Sequence, residues 1–238
     1  MKIIIALPAY NEEIVLERNV KKLLGYCREN FVSDEFQIII CNNASTDHTE
    51  EISQKLNQEN SEIKSLLLDQ KGKGLAWKMA FLTYEVDVYI FMDCDLAVEL
   101  SATKLLIEGI RNGYDLVLGS RFLPNSQKSR SWQRELISTA YRNMAKILLG
   151  TNISDFQCGF KAINRRVRDN ILPDCQENEF FLDTELIYLC AKKKYTFKDI
   201  PVDWSEFRDL ERKSTVNIFG TSWDYLVKLL KLKCRKSL

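Results

Sequence analysis

Asp93-Cys94-Asp95 closes an apolar run and is the triplet in this sequence with the clearest chemical potential. Two carboxylates one residue apart, where a buried strand gives way to a loop, can turn toward one cation. Hard divalent ions take oxygen ligands, and magnesium typically uses one or two carboxylates with phosphate and water. Such an ion would neutralise a leaving diphosphate as a Lewis acid. An isolated pair of this kind is more often a solvated turn, so its weight comes from its company. Lys71-Gly72-Lys73-Gly74 sets cations and open backbone before a helix, which suits an anion, although the full P-loop pattern is missing. Asn42-Asn43-Ala44-Ser45-Thr46-Asp47 offers amides that donate and accept, as a base edge or ribose requires, with Asp47 reading as structural. Pro8-Ala9-Tyr10-Asn11-Glu12-Glu13 offers a rigid turn, a ring for a planar base, and Asn11 as a helix cap. His48, the single histidine, sits beside a helix start and carries no role.

These clusters need a scaffold that brings them together. Lys2–Leu7, Phe36–Cys41, Ile63–Leu68 and Val86–Met92 read as strands, the first of them buried. Helix-period segments alternate with them, one carrying Leu75, Met79 and Leu82 on one face. That alternation predicts an α/β fold with a mainly parallel, Rossmann-like sheet flanked by helices. Ligands bind such sheets outside the carboxyl ends of the strands, where all four clusters fall. Beyond Asp95 the rhythm loosens. A helix over 100–111, a strand over 115–119, a polar, basic and mobile loop over 119–131, helices over 135–149 and 184–193, and a strand over 197–202 are expected.

Composition narrows the class. With 238 residues, 45% apolar and 28% charged, the chain is that of an ordinary globule. The net charge of +1 gives no reason to expect nucleic acid. Seven cysteines, odd in number and without a C-x-x-C pair, argue against a disulfide framework or a zinc site and for a reducing compartment. No apolar stretch approaches the roughly 20 residues that span a bilayer. The expected location is cytoplasmic, or peripheral on the cytosolic face of a membrane. Residues 1–216 read as the catalytic domain and 217–238 as a basic amphipathic helix. Its apolar stripe is Trp223, Leu226, Val227 and Leu230, with Leu229 slightly off it. That helix suits either an anionic membrane surface or a seat on the core with its lysines in water.

Taken in order, Leu7–Glu12, Asn42–Thr49, Gly72–Gly74 and Asp93–Asp95 resemble the family-two inverting glycosyltransferases of the A-type nucleotide-sugar fold. Gly119–Phe122, Arg130–Arg134, Ser154–Lys161, Phe181–Leu186 and Ile200–Trp204 resemble the branch acting on dolichyl or polyprenyl phosphate with glucose or mannose. The resemblance covers about residues 2–216. It implies a nucleotide-sugar site of Pro8, Tyr10, Glu12, Asn42, Asn43, Lys73, Asp93, Cys94 and Asp95. It further implies Asp93 and Asp95 as ligands of magnesium or manganese. Arg121 and Arg134 would meet anionic groups, and Asp155, Gln157 and Lys161 would serve the acceptor. In one respect the sequence departs from the family, with Asn42, Asn43 and Ala44 where an acidic pair and glycine are frequent.

The expected reaction is inverting transfer of a hexose from a nucleotide-diphosphate sugar, of UDP-glucose or GDP-mannose type. A polyprenyl-phosphate acceptor is already ionised and needs no general base, which gives Arg121, Arg134, Arg212 and Lys213 the task of gathering two anions. A sugar hydroxyl needs a carboxylate to take its proton; Asp183 is the candidate, with a helix-capping role as its structural alternative. Transfer to a glycan or glycolipid hydroxyl, a nucleotidyltransferase (whose glycine-rich first loop is missing) and a non-catalytic nucleotide-sugar binder stand as alternatives.

Overall fold

The computed structural model describes residues 1–126, 128–129, 132–205 and 218–235. Its main sheet has seven strands in the order β3-β2-β1-β4-β7-β5-β8. They are β1 (Lys2–Ala9), β2 (Glu35–Asn43), β3 (Ile63–Leu68), β4 (Val88–Met92), β5 (Leu116–Ser120), β7 (Phe160–Asn164) and β8 (Phe197–Pro201). A second sheet pairs β6 (Lys128–Ser129) with β9 (Trp204–Ser205). The helices are α1 (Leu16–Asn30), α2 (Thr49–Glu59), α3 (Lys73–Thr83), α4 (Thr103–Arg111), α5 (Trp132–Leu149), α6 (Arg165–Asn170), α7 (Leu182–Lys192) and α8 (Ile218–Cys234).

Six strands of the main sheet run one way. Only β7 runs against its neighbours β4 and β5. Strand β1 is buried on both faces from Ile3 onward, which is why it reads as one apolar run rather than an alternation. Ile3, Ile5 and Leu7 join α1 and α4 in one core layer, while Ile4 and Ala6 join α3 and α7 in the other. Strand β4 divides likewise, Ile90 and Met92 to one layer and Tyr89 and Phe91 to the other.

Several local expectations change. Strands β1 and β2 run on to Ala9 and Asn43, so Pro8 and both asparagines belong to strand ends. Asn11 does not cap α1, which starts at Leu16 behind Val15. Helix α3 buries Trp77, Ala80 and Phe81 and leaves Met79 39% exposed, since the two rings fill the layer against Phe91 and Tyr89. Among the described side chains of α8 the buried ones are Leu229 and Leu232, whereas Leu230 is 46% exposed. Tyr225 shares their face and packs its ring on Tyr141 and Phe181. Trp223 falls outside the described side chains. Helix α6 was not anticipated. Asn164 caps it by accepting from Val167 N at 3.0 Å.

Candidate active site

The sheet sets the rim. Ala9 pairs with Asn42 across β1 and β2, and Ala6 pairs with Phe91 across β1 and β4. The carboxyl ends of three adjacent strands therefore deliver Tyr10, Asn42 and Asp93 to one edge, at strand spacings of about 4.8 Å. Immediately past these ends, Asn11, Ala44 and Leu96 all take left-handed backbone, with φ of 54°, 54° and 50°. Non-glycine residues adopt that region rarely and at a cost, and here one falls in each of the three turns.

The first two turns clasp one another. Asn11 Oδ1 accepts from Thr46 N at 2.8 Å, and Asn11 N donates to Ser45 Oγ at 3.1 Å. Glu12 N donates to Thr49 Oγ1 at 2.8 Å. Asp47 accepts from Glu13 N and Thr49 N, the structural duty expected of it. His48 lies in solvent, its ring 72% exposed.

Inside the clasp Asn42 is 1% exposed; its Oδ1 accepts from Ser45 N, while its Nδ2 has no hydrogen-bond partner among the described residues. A buried amide donor left open is costly unless a ligand meets it. Asn43 Oδ1 accepts from Gly72 N at 2.7 Å and draws the Lys71–Gly74 segment onto the rim. The ammonium of Lys71 stands 3.7 Å from the centre of the Tyr10 ring, and Lys73 Nζ stands 2.5 Å from Asp93 Oδ1. Burial works to lower the Lys73 pKa, but Asp93, Asp183 and Asp95 together hold it above the usual lysine range.

Strand β7 reaches the rim from the other direction. A β-carbon at Gly159 would come within 2.1 Å of Asp93 Oδ2, so only a glycine lets this backbone lie beside the carboxylate. Asp95 Oδ1 accepts from Ala97 N at 3.2 Å, and Cys94 is buried with its carbonyl accepting from Asn19 Nδ2 at 3.0 Å. Cys94 thus packs into the core beneath the turn. A narrow cleft beside Asp93 is lined by Ala97, Val98, Gly159 and Trp204.

The acceptor-side residues are more enclosed than the sequence suggested. Lys161 projects from the middle of the sheet, is 1% exposed, and ion-pairs with Asp183 at 2.5 Å. Asp183 lies within the first turn of α7 and does not cap it; that position belongs to Phe181. Burial pushes the Asp183 carboxyl up, against the pull of Lys161 and Lys73. Asp155, 2% exposed, receives Arg121 Nε at 2.7 Å and Arg121 Nη2 at 3.0 Å, and also accepts from Gln157 N at 3.1 Å. Asp155 and Lys161 are both interior, and each is paired with another charged residue, Arg121 and Asp183 respectively. Gln157 Nε2 donates to Thr184 Oγ1 at 2.8 Å, and Tyr225 and Tyr141 complete that network. Arg134 lies in the first turn of α5 with its side chain outside the described residues, as is all of Arg212.

Among the described residues no group of three or more His, Cys, Asp or Glu side chains is arranged to hold a metal. The two carboxylates of Asp93 and Asp95 still fit a hard cation whose other ligands are diphosphate oxygens and water. Lysine at Asp93 Oδ1 marks that position as one that already accepts a cation.

Residues 4–172 match Glycosyl transferase family 2. The chain belongs to that family. Glycosyltransferase AglD of Haloferax volcanii is 30% identical over 222 residues, covering 92% of this chain and 36% of AglD. The dolichyl-phosphate beta-glucosyltransferase of Dictyostelium discoideum is 28% identical over 215 residues, covering 85% of this chain and 66% of the relative. The chain thus spans only part of these relatives' length. Glucosyl-3-phosphoglycerate synthase from Mycobacterium tuberculosis, solved with Mn2+, UDP and phosphoglyceric acid, superposes with a TM-score of 0.72. It is 16% identical, covering 99% of this chain and 80% of that one, and it shares the fold. This family-two chain has the fold read from its sequence: a mainly parallel sheet between layers of helices.

The sequence marks Lys71 only as a cation of the Lys71–Gly74 segment, and Gly159 only as one position of the Ser154–Lys161 motif. A glycine opening a strand signals a close backbone approach, which could have flagged Gly159. Nothing in the order of residues ties Lys71 to Tyr10.

Proposed function

We propose that the chain transfers a hexose from a nucleotide-diphosphate sugar, of UDP-glucose or GDP-mannose type, to the phosphate of a polyprenyl or dolichyl carrier, with inversion at the anomeric carbon. The observation that carries this reading is the placing of Asp93 and Asp95 at the end of β4, beside Lys73 and on the rim that bears Asn42. The printed names of relatives that act on dolichyl phosphate support the acceptor class.

Tyr10 would stack on the base and the open Asn42 amide would read its edge or the ribose, with Pro8, Glu12 and Asn43 shaping the pocket. Asp93 and Asp95 would hold magnesium or manganese, which when bound supplies Lewis acidity to the departing diphosphate. Lys73 adds positive charge at the same oxygens. Arg121, fixed by Asp155, orders the wall next to Trp204, where its guanidinium lies 5.7 Å from the ring centre. An ionised phosphate oxygen attacks without a base, so Lys161 and Asp183 shape and neutralise the acceptor side. Arg134 and Arg212 are proposed to meet the acceptor phosphate. Action at a cytosolic membrane face, with residues 217–238 as contact, belongs to the same proposal. It is supported by the lysines of α8 and by seven free cysteines, of which six are buried.

A second reading, transfer to a sugar hydroxyl, draws support from the raised pKa of Asp183, a property of general bases.

Incubation with a panel of nucleotide sugars, Mg2+ or Mn2+, and polyprenyl phosphate, followed by mass spectrometry, tests the proposal. A polyprenyl-phosphate hexose is expected, and Asp95→Ala is expected to abolish it with an unchanged melting curve. A fully active variant would remove the metal assignment.

A further inference from the structure

Two lysines of one short segment occupy positions that the proposed donor complex would claim. Lys73 Nζ lies 2.5 Å from Asp93 Oδ1, where a divalent ion would bind. Lys71 Nζ lies 3.7 Å over the Tyr10 ring, where a base would stack. The segment is anchored on both sides, since Gly72 N donates to Asn43 Oδ1 at 2.7 Å and Leu75 N donates to Asn178 O at 2.8 Å. A β-carbon at Gly72 would come within 2.8 Å of Asn178 O, so the backbone is pressed into this place. The surrounding charge explains the seating. Asp93 is the direct partner of Lys73, and Asp183 and Asp95 add to the negative charge around the ammonium.

We propose that Lys73, seated by the Lys71–Gly74 segment, is the resident counter-ion of Asp93 and sets the order of ligand binding. While it pairs with Asp93, a divalent ion arriving alone must compete with a positive charge already in place. A nucleotide diphosphate brings its own anionic oxygens and draws Lys73 toward them, which frees Asp93 for the metal. Metal and donor therefore bind cooperatively through one side chain, beyond the ligation the diphosphate itself provides. Binding linkage is reciprocal, so the same lysine makes the donor bind better once metal is present. The inference rests on the metal site proposed above.

Titration with Mn2+ alone, read by calorimetry or by the water-proton relaxation of bound Mn2+, separates the two claims. Lys73→Gln is expected to bind Mn2+ about tenfold tighter than the parent chain, which corresponds to ~1.4 kcal/mol. The further gain on adding UDP or GDP, whichever the parent binds, is expected to shrink by a similar factor. Lys73→Met provides a second variant, and both are checked for an unchanged circular-dichroism spectrum and melt. If Lys73→Gln and Lys73→Met bind Mn2+ no tighter than the parent, including no binding by any of them, the counter-ion role is overturned. Asp95→Asn is the control for the underlying site. Its failure to weaken Mn2+ binding by the parent overturns the metal assignment itself, whereas a loss there with unchanged Lys73 variants overturns only the counter-ion.

Discussion

At the scale of single residues, the Asp93 carboxylate and Gly159 are in such close contact that one methyl group decides the site. Gly159→Ala forces Asp93 or the β7 backbone aside, and overpacking of this kind costs about 1–3 kcal/mol. The expected outcome is at least a tenfold drop in kcat/KM with a smaller change in melting temperature, measured by steady-state transfer assays and thermal melts. The Lys161–Asp183 pair carries a different consequence. Asp183→Asn leaves a buried ammonium without its counter-charge, a loss of about 3–5 kcal/mol, to be read from urea unfolding; Lys161→Met combined with Asp183→Leu is expected to recover most of it. The place of Asp93 and Asp95 just past the carboxyl end of β4 was legible in the sequence, because the repeated strand–helix units show where that apolar strand must stop. The partners of Asp155 and Lys161 were not legible. An aspartate's type gives no sign that its partner is Arg121, thirty-four positions away and on another strand end.

At the scale of elements, strands β1 to β5 and β8 were readable, whereas the buried faces of helices α3 and α8 were not. The bounds of β3 matched residue for residue, with Asn60 and Asp69 marking the polar turns on either side of Ile63–Leu68. Helices α3 and α8 carry apolar residues around much of their circumference, so periodicity alone permits more than one buried stripe. The partner decides. For α8 the partner is the α5–α7 surface, where Tyr225 lies against Tyr141 and Phe181, Lys228 pairs with Glu177 at 2.8 Å, and Arg235 pairs with the buried Glu185 at 2.6 Å. Leu229 is fully buried there, and Leu229→Ala is expected to destabilise the fold by about 2–5 kcal/mol in urea titration. The outward lysines Lys231 and Lys233 leave the helix able to face an anionic surface while docked. Deleting residues 217–238 is expected to lower sedimentation with anionic liposomes, measured on a truncation whose folding is verified first; unchanged binding removes the membrane role.

At the scale of the whole molecule, acid sensitivity follows from where its carboxylates lie. Burial works to raise Asp34, Asp47, Asp115 and Asp155, but the terminal ammonium, Thr49, Thr196 and Arg121 respectively outweigh it and hold them below the usual carboxylate range. Their folded values lie below the unfolded ones, so the stabilisation is present above the unfolded pKa of about 3.9 and is lost as pH falls through the folded values. Asp183 has the opposite sign, its contribution falling as pH rises between its unfolded and its raised folded value. Stability by urea midpoint is expected to change little from pH 7 to about 5 and to fall steeply below about 4. The single reversed strand has a consequence of another kind. β1 to β4 can assemble from neighbours in the chain, but the glycine beside Asp93 arrives only when β7 inserts against β4, pairing Met92 with Phe160. Long loops must close before such distant pairings are rewarded. A chain emerging during synthesis can therefore form β1 to β4 early, while the surroundings of Asp93 stay incomplete until β7 has been added to the sheet.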